Sequence, residues 1–163
     1  MKTRQLFIVD DDELVLEIMG NYLKDKFKSY HIKTFKTGED CINNLNLKPD
    51  IIVLDYYLDG NDVNAEDGLA TLKKIKEASR KIEIVILTKN DNEEVALNCL
   101  KYGAADYIIK NNISHIHLQL SLENINAKLD AVEKAKDSKY TTMIAVVILI
   151  ILGIVFSLIN YFI

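Results

Sequence analysis

The chain has 163 residues, of which 49% are apolar and 27% are charged, and its formal net charge is -4 at pH 7. This composition excludes a disordered or collagen-like chain, and two cysteines are too few for a disulfide-stapled secreted module. The net acidity argues against unaided binding to nucleic acid. The charges are unevenly placed, because the last 23 residues, 141–163, contain none of the 20 basic and 24 acidic side chains. The sequence therefore describes an ordinary acidic domain followed by a strongly apolar segment.

Short apolar runs alternate with stretches of helical period through residues 5–110. Continuous runs such as IIVL and IVIL are typical of strands that are buried on both faces, as in parallel sheets. The five predicted strands are Leu6–Val9, His31–Phe35, Ile51–Leu54, Ile82–Leu87 and Tyr107–Ile109. Five strand–helix repeats predict an α/β fold with a doubly wound, five-stranded parallel sheet.

Amphipathic helices are predicted between these strands, each with an apolar stripe that faces the sheet. The stripes are Leu14, Ile18, Tyr22 and Leu23 in the first helix, Leu69, Leu72 and Ile75 in the third, and Val95, Cys99 and Tyr102 in the fourth. Gly103 is expected to cap the fourth helix. Cys41 and Cys99 lack the spacing of a zinc site, so we expect two buried, reduced thiols.

Polar residues whose side chains could bind a ligand or react follow the carboxyl ends of the predicted strands. They are Asp10, Asp11 and Asp12 after the first strand, Asp55 after the third, Thr88 after the fourth and Lys110 after the fifth. Ligands of open parallel sheets bind outside these ends, where converging carboxylates need a cation. Hard oxygen ligands favour Mg²⁺, and a carboxylate beside a metal can attack a phosphoryl group. Each residue alone fits a helix cap or a solvated turn, so the shared placement carries the prediction.

Four motifs carry a resemblance to a known family. They are FIVDDD (Phe7–Asp12), DIIVLD (Asp50–Asp55), VILT (Val85–Thr88) and GAADYIIK (Gly103–Lys110). In this order and spacing, residues 4–125 resemble the receiver domains of two-component response regulators. The resemblance implies a flavodoxin-like fold in which Asp55 accepts a phosphoryl group from a phosphohistidine on a sensor histidine kinase or a phosphotransfer protein.

The resemblance also implies a role for the residues around the acceptor. The implied roles are Asp10, Asp11, Asp55 and the backbone carbonyl of Tyr57 as Mg²⁺ ligands, Thr88 and Lys110 as contacts of the phosphoryl group, and Tyr107 as an aromatic switch. Tyr107 would turn inward as Thr88 moves toward the phosphoryl group. Such a change is a population shift between two conformational states.

The sequence departs from the family pattern at two prolines and one loop. Asn111 follows the final lysine and Asp59 lies four residues after the acceptor, where prolines are usual. The loop from Asp55 to Gly68 is longer than usual, and its DGNDVNAED stretch is either a solvated loop or a partner-docking loop. Because the charged groups of the site are all retained, we expect an active receiver and not a pseudo-receiver.

Residues 112–140 are predicted to form one long helix that continues the last helix of the domain. Its apolar residues Leu118, Leu122, Ile125, Leu129 and Val132 repeat at alternating intervals of four and three. This spacing fits a coiled-coil seam, which would allow a homodimer through the stalk, and it fits one-sided packing on the sheet equally well.

The apolar segment Met143–Ile163 is predicted to cross a membrane. As a helix its 21 residues span about 31 Å, which matches the hydrocarbon core of a bilayer. Lys134, Lys136 and Lys139 precede the segment, so the positive-inside rule predicts a single-pass protein of the cytoplasmic membrane with its N-terminal domain in the cytoplasm. The predicted organisation is a receiver domain at 1–125, a helical stalk at 126–140 and a transmembrane helix at 141–163.

These features predict a membrane-tethered phosphoacceptor that signals through contacts with an unidentified effector protein and binds no nucleic acid. Phosphoryl acceptance would be stoichiometric, so we do not expect an enzyme. The alternative is a phosphorylation-independent membrane-anchored adaptor on a receiver fold, to which the Lys110–Asn111 junction and the acidic loop point. A phosphohydrolase is disfavoured because Tyr57 occupies the position where a second acid–base carboxylate would be needed.

Overall fold

A computed structural model describes residues 3–58, 68–89 and 91–162, except for the side chains of Phe156, Ile159 and Phe162. In chain order the elements are β1 (Arg4–Val9), α1 (Glu13–Lys26), β2 (Tyr30–Phe35), α2 (Gly38–Asn43), a 3₁₀ turn (Leu45–Leu47), β3 (Ile51–Asp55), α3 (Gly68–Ala78), β4 (Glu83–Thr88), α4 (Glu93–Lys101), β5 (Asp106–Ile109) and α5 (Ser114–Phe162). The acidic stretch predicted as a solvated or docking loop, 59–67, lies outside the described residues.

The five strands form one parallel sheet in the order β2-β1-β3-β4-β5. This order confirms the predicted doubly wound α/β fold. The central strand β3 is buried along its whole length, as expected for a strand covered by helices on both faces. The register pairs Val9 of β1 with Leu54 of β3. The residues that follow at the carboxyl ends of these two strands are therefore neighbours.

The core lies on the two faces of this sheet and is built mainly from aliphatic side chains. Phe7, Ile52, Leu72, Ile75 and Ile84 are among the fully buried members. The stripe predicted for the third helix is thus confirmed, and Cys41 and Cys99 are buried free thiols, as expected. Burial raises the pKa of the Cys41 thiol to about 12.

The stripe predicted for the first helix is confirmed only at its C-terminal end. Leu23 is fully buried and Tyr22 is half-buried, but Leu14 and Ile18 are 62% and 61% exposed. Leu16 and Gly20, which were not predicted, are buried in their place. Apolar residues cover a wide arc of α1, so helical period alone does not select the buried side.

The fourth helix follows its prediction in part. Cys99 is buried and Val95 packs against the core, but Tyr102 is exposed and lies beneath the ammonium of Lys73, 4.1 Å from the ring centroid. Gly103 has φ +100° just beyond α4, which confirms the predicted cap.

The chain divides into two compact units, Met1–Leu122 and Glu123–Ile163. The first contains the sheet and its helices, and the second is the remainder of α5. α5 is the one helix among the described residues that is long and apolar enough to cross a membrane, and its most apolar stretch is not buried in the structure. The predicted boundaries at residues 125 and 140 stay predictions.

Candidate functional site

Two aspartates meet where β1 and β3 end. Asp10 and Asp55 are 2% and 3% exposed, and Asp11 beside them is exposed. One carboxylate oxygen from each of these three residues lies within 4.8 Å of the others. Asp12 does not join the cluster, because its carboxylate caps α1 by accepting the backbone N–H of Leu14 at 2.9 Å. Two of the three aspartates after β1 are therefore available to a cation.

Local hydrogen bonds hold this acidic cluster in place. The Asp10 carboxylate accepts the backbone N–H of Asp12 at 3.1 Å, which ties it to the start of α1. The Asp55 carboxylate accepts a long hydrogen bond of 3.4 Å from the backbone N–H of Tyr57. Both carboxylates are thus positioned by the chain that immediately follows their strands.

Lys110 joins the two buried carboxylates. Its Nζ lies 2.7 Å from Asp10 Oδ2 and 2.6 Å from Asp55 Oδ2. Its backbone N–H donates to the carbonyl of Thr88 at 2.6 Å, so β4 and β5 fix where the side chain begins. One ammonium facing three carboxylates leaves the cluster with excess negative charge, and such charge attracts a divalent cation.

Burial and ion pairing shift the pKa values of Asp55 and Lys110 in opposite directions. Burial raises the pKa of Asp55, and the hydrogen bond from Lys110 only partly offsets that rise. For Lys110, burial favours the neutral amine, but the hydrogen bonds to Asp10 and Asp55 outweigh it and raise the pKa above its usual value. The lysine is therefore charged at neutral pH.

The predicted switch residues are neighbours at the ends of β4 and β5. Thr88 is fully buried at the last position of β4. The side chain of Tyr107 is half-buried and forms a hydrogen bond with Thr88, while burial raises its pKa. Their hydroxyl groups are thus already linked beside the acidic cluster.

Gly68 and Asn111 shape the site, although neither was predicted to be a site residue. Gly68 begins α3, and its backbone N–H donates to the carbonyl of Tyr56 at 2.8 Å. A Cβ at Gly68 would lie 2.6 Å from the carbonyl oxygen of Asp55, so only glycine fits there. The sequence shows a glycine just after the acceptor loop. Its role could not be predicted, because that role depends on the distance between the backbones of Gly68 and Asp55.

Asn111, which replaces a proline of the family pattern, builds the turn into α5. Its side-chain oxygen accepts the backbone N–H of Ile113 at 2.9 Å, and its carbonyl accepts the hydroxyl of Ser114 at 2.9 Å. The amide side chain therefore supplies an Asx-type turn after Lys110.

The sheet order and the acidic cluster with its lysine define a flavodoxin-like signalling domain. The family model of the response regulator receiver domain matches residues 6–121. The chain therefore belongs to the response regulator receiver domain family, as its motifs predicted. It is the phosphoacceptor domain of a two-component response regulator.

The curated relatives that this chain matches are much longer than it is. It is 30% identical over 147 residues to an NtrX-like response regulator of Rickettsia conorii, an alignment that covers 83% of this chain and 30% of that protein. It is 36% identical over 131 residues to a protein-glutamate methylesterase/protein-glutamine glutaminase of Methanosarcina mazei, with 78% and 34% covered. The chain thus spans about a third of the length of these relatives.

Solved receiver domains share the fold of this chain. The BeF3-activated DrrB receiver domain has a TM-score of 0.62 and 28% identity, with 76% of this chain and 99% of that chain covered. The signal receiver domain of a Luxo repressor protein from Vibrio parahaemolyticus has a TM-score of 0.66 and 25% identity, with 81% and 97% covered.

The acidic cluster fits the cation that receiver domains use. Receiver domains bind Mg²⁺ at an acidic site, and Asp10, Asp11 and Asp55 form such a site here. Carboxylate oxygens are the donors that Mg²⁺ prefers. Because the cluster keeps a net negative charge after pairing with Lys110, a divalent cation would relieve its repulsion.

Proposed function

We propose that this receiver takes a phosphoryl group on Asp55 from the phosphohistidine of a histidine kinase or a phosphotransfer protein. The observation that carries the proposal is the pairing of Lys110 Nζ with Asp55 Oδ2 at 2.6 Å inside the acidic cluster. Asp10 and Asp11 alone could be a cation site, but a buried carboxylate paired with a lysine is also placed to accept and hold a phosphoryl group.

The transfer forms one bond and breaks one. An Asp55 carboxylate oxygen attacks the phosphorus, the P–N bond breaks, and the imidazole nitrogen keeps the electron pair while the ring takes up a proton. The product is an acyl phosphate and a neutral histidine. Lys110 offsets the charge of the phosphoryl oxygens, and the Thr88 hydroxyl contacts one of them, with Tyr107 following as the switch.

The proposed Mg²⁺ ligands are the carboxylates of Asp10, Asp11 and Asp55 and the backbone carbonyl of Tyr57. When bound, the cation supplies neutralisation of the phosphoryl charge. The role proposed for this chain is stoichiometric acceptance and not turnover.

We also propose that the apolar segment 141–163, which includes the end of α5, crosses the cytoplasmic membrane once and leaves the receiver in the cytoplasm. The described side chains of 141–155 are exposed, and no charge occurs among them. A tether of this kind confines the receiver near membrane-bound kinases and effectors and raises its effective concentration toward them. Resistance of the full chain to alkaline extraction from vesicles tests the span.

Intact-mass measurement of the full chain tests the phosphoryl acceptance. Incubation with acetyl phosphate and Mg²⁺ should add one phosphoryl group, and Asp55→Asn should abolish the gain. A gain that persists in Asp55→Asn, or no gain in the native chain, would overturn the proposal.

The adaptor remains the second candidate function, because several apolar side chains on α4 and early α5 are exposed and could contact a protein in either state. They include Leu97, Leu100, Ile116 and Leu120. The two functions differ in one result. Binding of a membrane partner that is equal for the native chain and for Asp55→Asn supports the adaptor, whereas phosphorylation-dependent binding supports the switch.

A further inference from the structure

We draw no further inference here: the strongest candidate, the apolar cleft of about 350 Å³ between α1 and α5 that is lined by Val15, Ile18, Met19, Leu87 and Leu118 and reaches Lys110 at the acceptor site, is an unpartnered apolar surface, and nothing in the structure shows what covers it.

Discussion

Lys110 sits between two buried carboxylates, and each of the three groups is costly to bury without the others. Asp10 and Asp55 each accept a short hydrogen bond from its ammonium. Removal of the cation from a buried cluster that holds more carboxylates than cations leaves uncompensated negative charge, which costs more than the loss of an exposed pair. The lysine is therefore expected to stabilise the fold as well as hold a phosphoryl group.

Lys110→Met should lower the free energy of unfolding by about 3–5 kcal/mol in the presence of a chelator, because two carboxylates lose their cation. Mg²⁺ should recover more stability in this variant than in the native chain, since the metal then supplies the only positive charge to the cluster. Urea unfolding with and without Mg²⁺ measures both effects. Lys36→Met is the control, because its pair with Glu13 is exposed and worth little. Equal losses in the two variants would contradict the argument.

Asp55→Asn should raise the melting temperature by a few degrees when a chelator is present. Burial raises the pKa of Asp55 above its usual 3.8, so the folded state binds its proton more tightly than the unfolded state does. Stability from this group is therefore lost as the pH rises from the unfolded pKa through the folded one, and at neutral pH the ionised side chain destabilises the fold. Asparagine removes that charge and still offers an oxygen to Lys110.

Calorimetric melting at pH 7 measures the change. Asp25→Asn is the matched control, because Lys28 lowers the pKa of that exposed carboxylate and its loss cannot stabilise the chain. A lower melting temperature for Asp55→Asn would show that pairing with Lys110 outweighs burial.

At the residue scale the sequence predicts which groups converge but not how the chain makes room for them. Asp10, Asp55 and Lys110 meet because parallel strands end at one edge of the sheet. The role of Gly68 depends on a distance between backbone atoms, which no spacing in the sequence reveals.

At the element scale, the approach of α3 to β3 depends on one glycine. Gly68→Ala would place a Cβ 2.6 Å from the backbone of Asp55 and Tyr56, so the acceptor strand must shift. We expect a lower melting temperature and a loss of phosphoryl acceptance from acetyl phosphate of tenfold or more, because a displacement of about 1 Å has this effect on a positioned group.

A second helical glycine provides the control for this change. Gly20→Ala in α1 would place its Cβ 4.0 Å from Thr34 Cγ2, an ordinary contact. It should stabilise the chain by about 0.5–1 kcal/mol and leave acceptance unchanged. Similar acceptance by both variants would show that the approach of α3 does not position Asp55.

Strands were easier to predict than the buried sides of helices. The continuous run IIVL has only one role in an α/β sheet, and the structure begins β3 at Ile51, as predicted. In α1, apolar residues occupy more than one side, and the sheet covers Leu16 and Leu23 while Leu14 stays exposed. Packing against the sheet decides which side of α1 is buried, and the helical period of the sequence does not specify that side.

At the scale of the whole molecule, the proposed phosphoacceptor site and the apolar part of α5 belong to different units. Every proposed site residue lies between Asp10 and Lys110, within Met1–Leu122. The chemistry of acceptance therefore needs nothing from Glu123–Ile163, which is proposed to supply location.

The initial rate of phosphorylation by acetyl phosphate should agree within about twofold between chain in detergent micelles and chain facing outward on vesicles, since the small donor reaches the same site in both. Mass spectrometry at early times gives the rate. Gly153→Leu, which alters only the apolar part of α5, should match the native chain in both settings. A tenfold difference between micelles and vesicles would show that the second unit acts on the site.

The placement of all five strands before α5 has a consequence for biosynthesis. A ribosome releases β5, which ends at Ile109, more than 30 residues before Met143 emerges. Domains generally fold as units during synthesis, N-terminal part first. The sheet can therefore bury its own aliphatic residues before the apolar segment emerges, and the two apolar parts of the chain do not compete as the nascent protein folds.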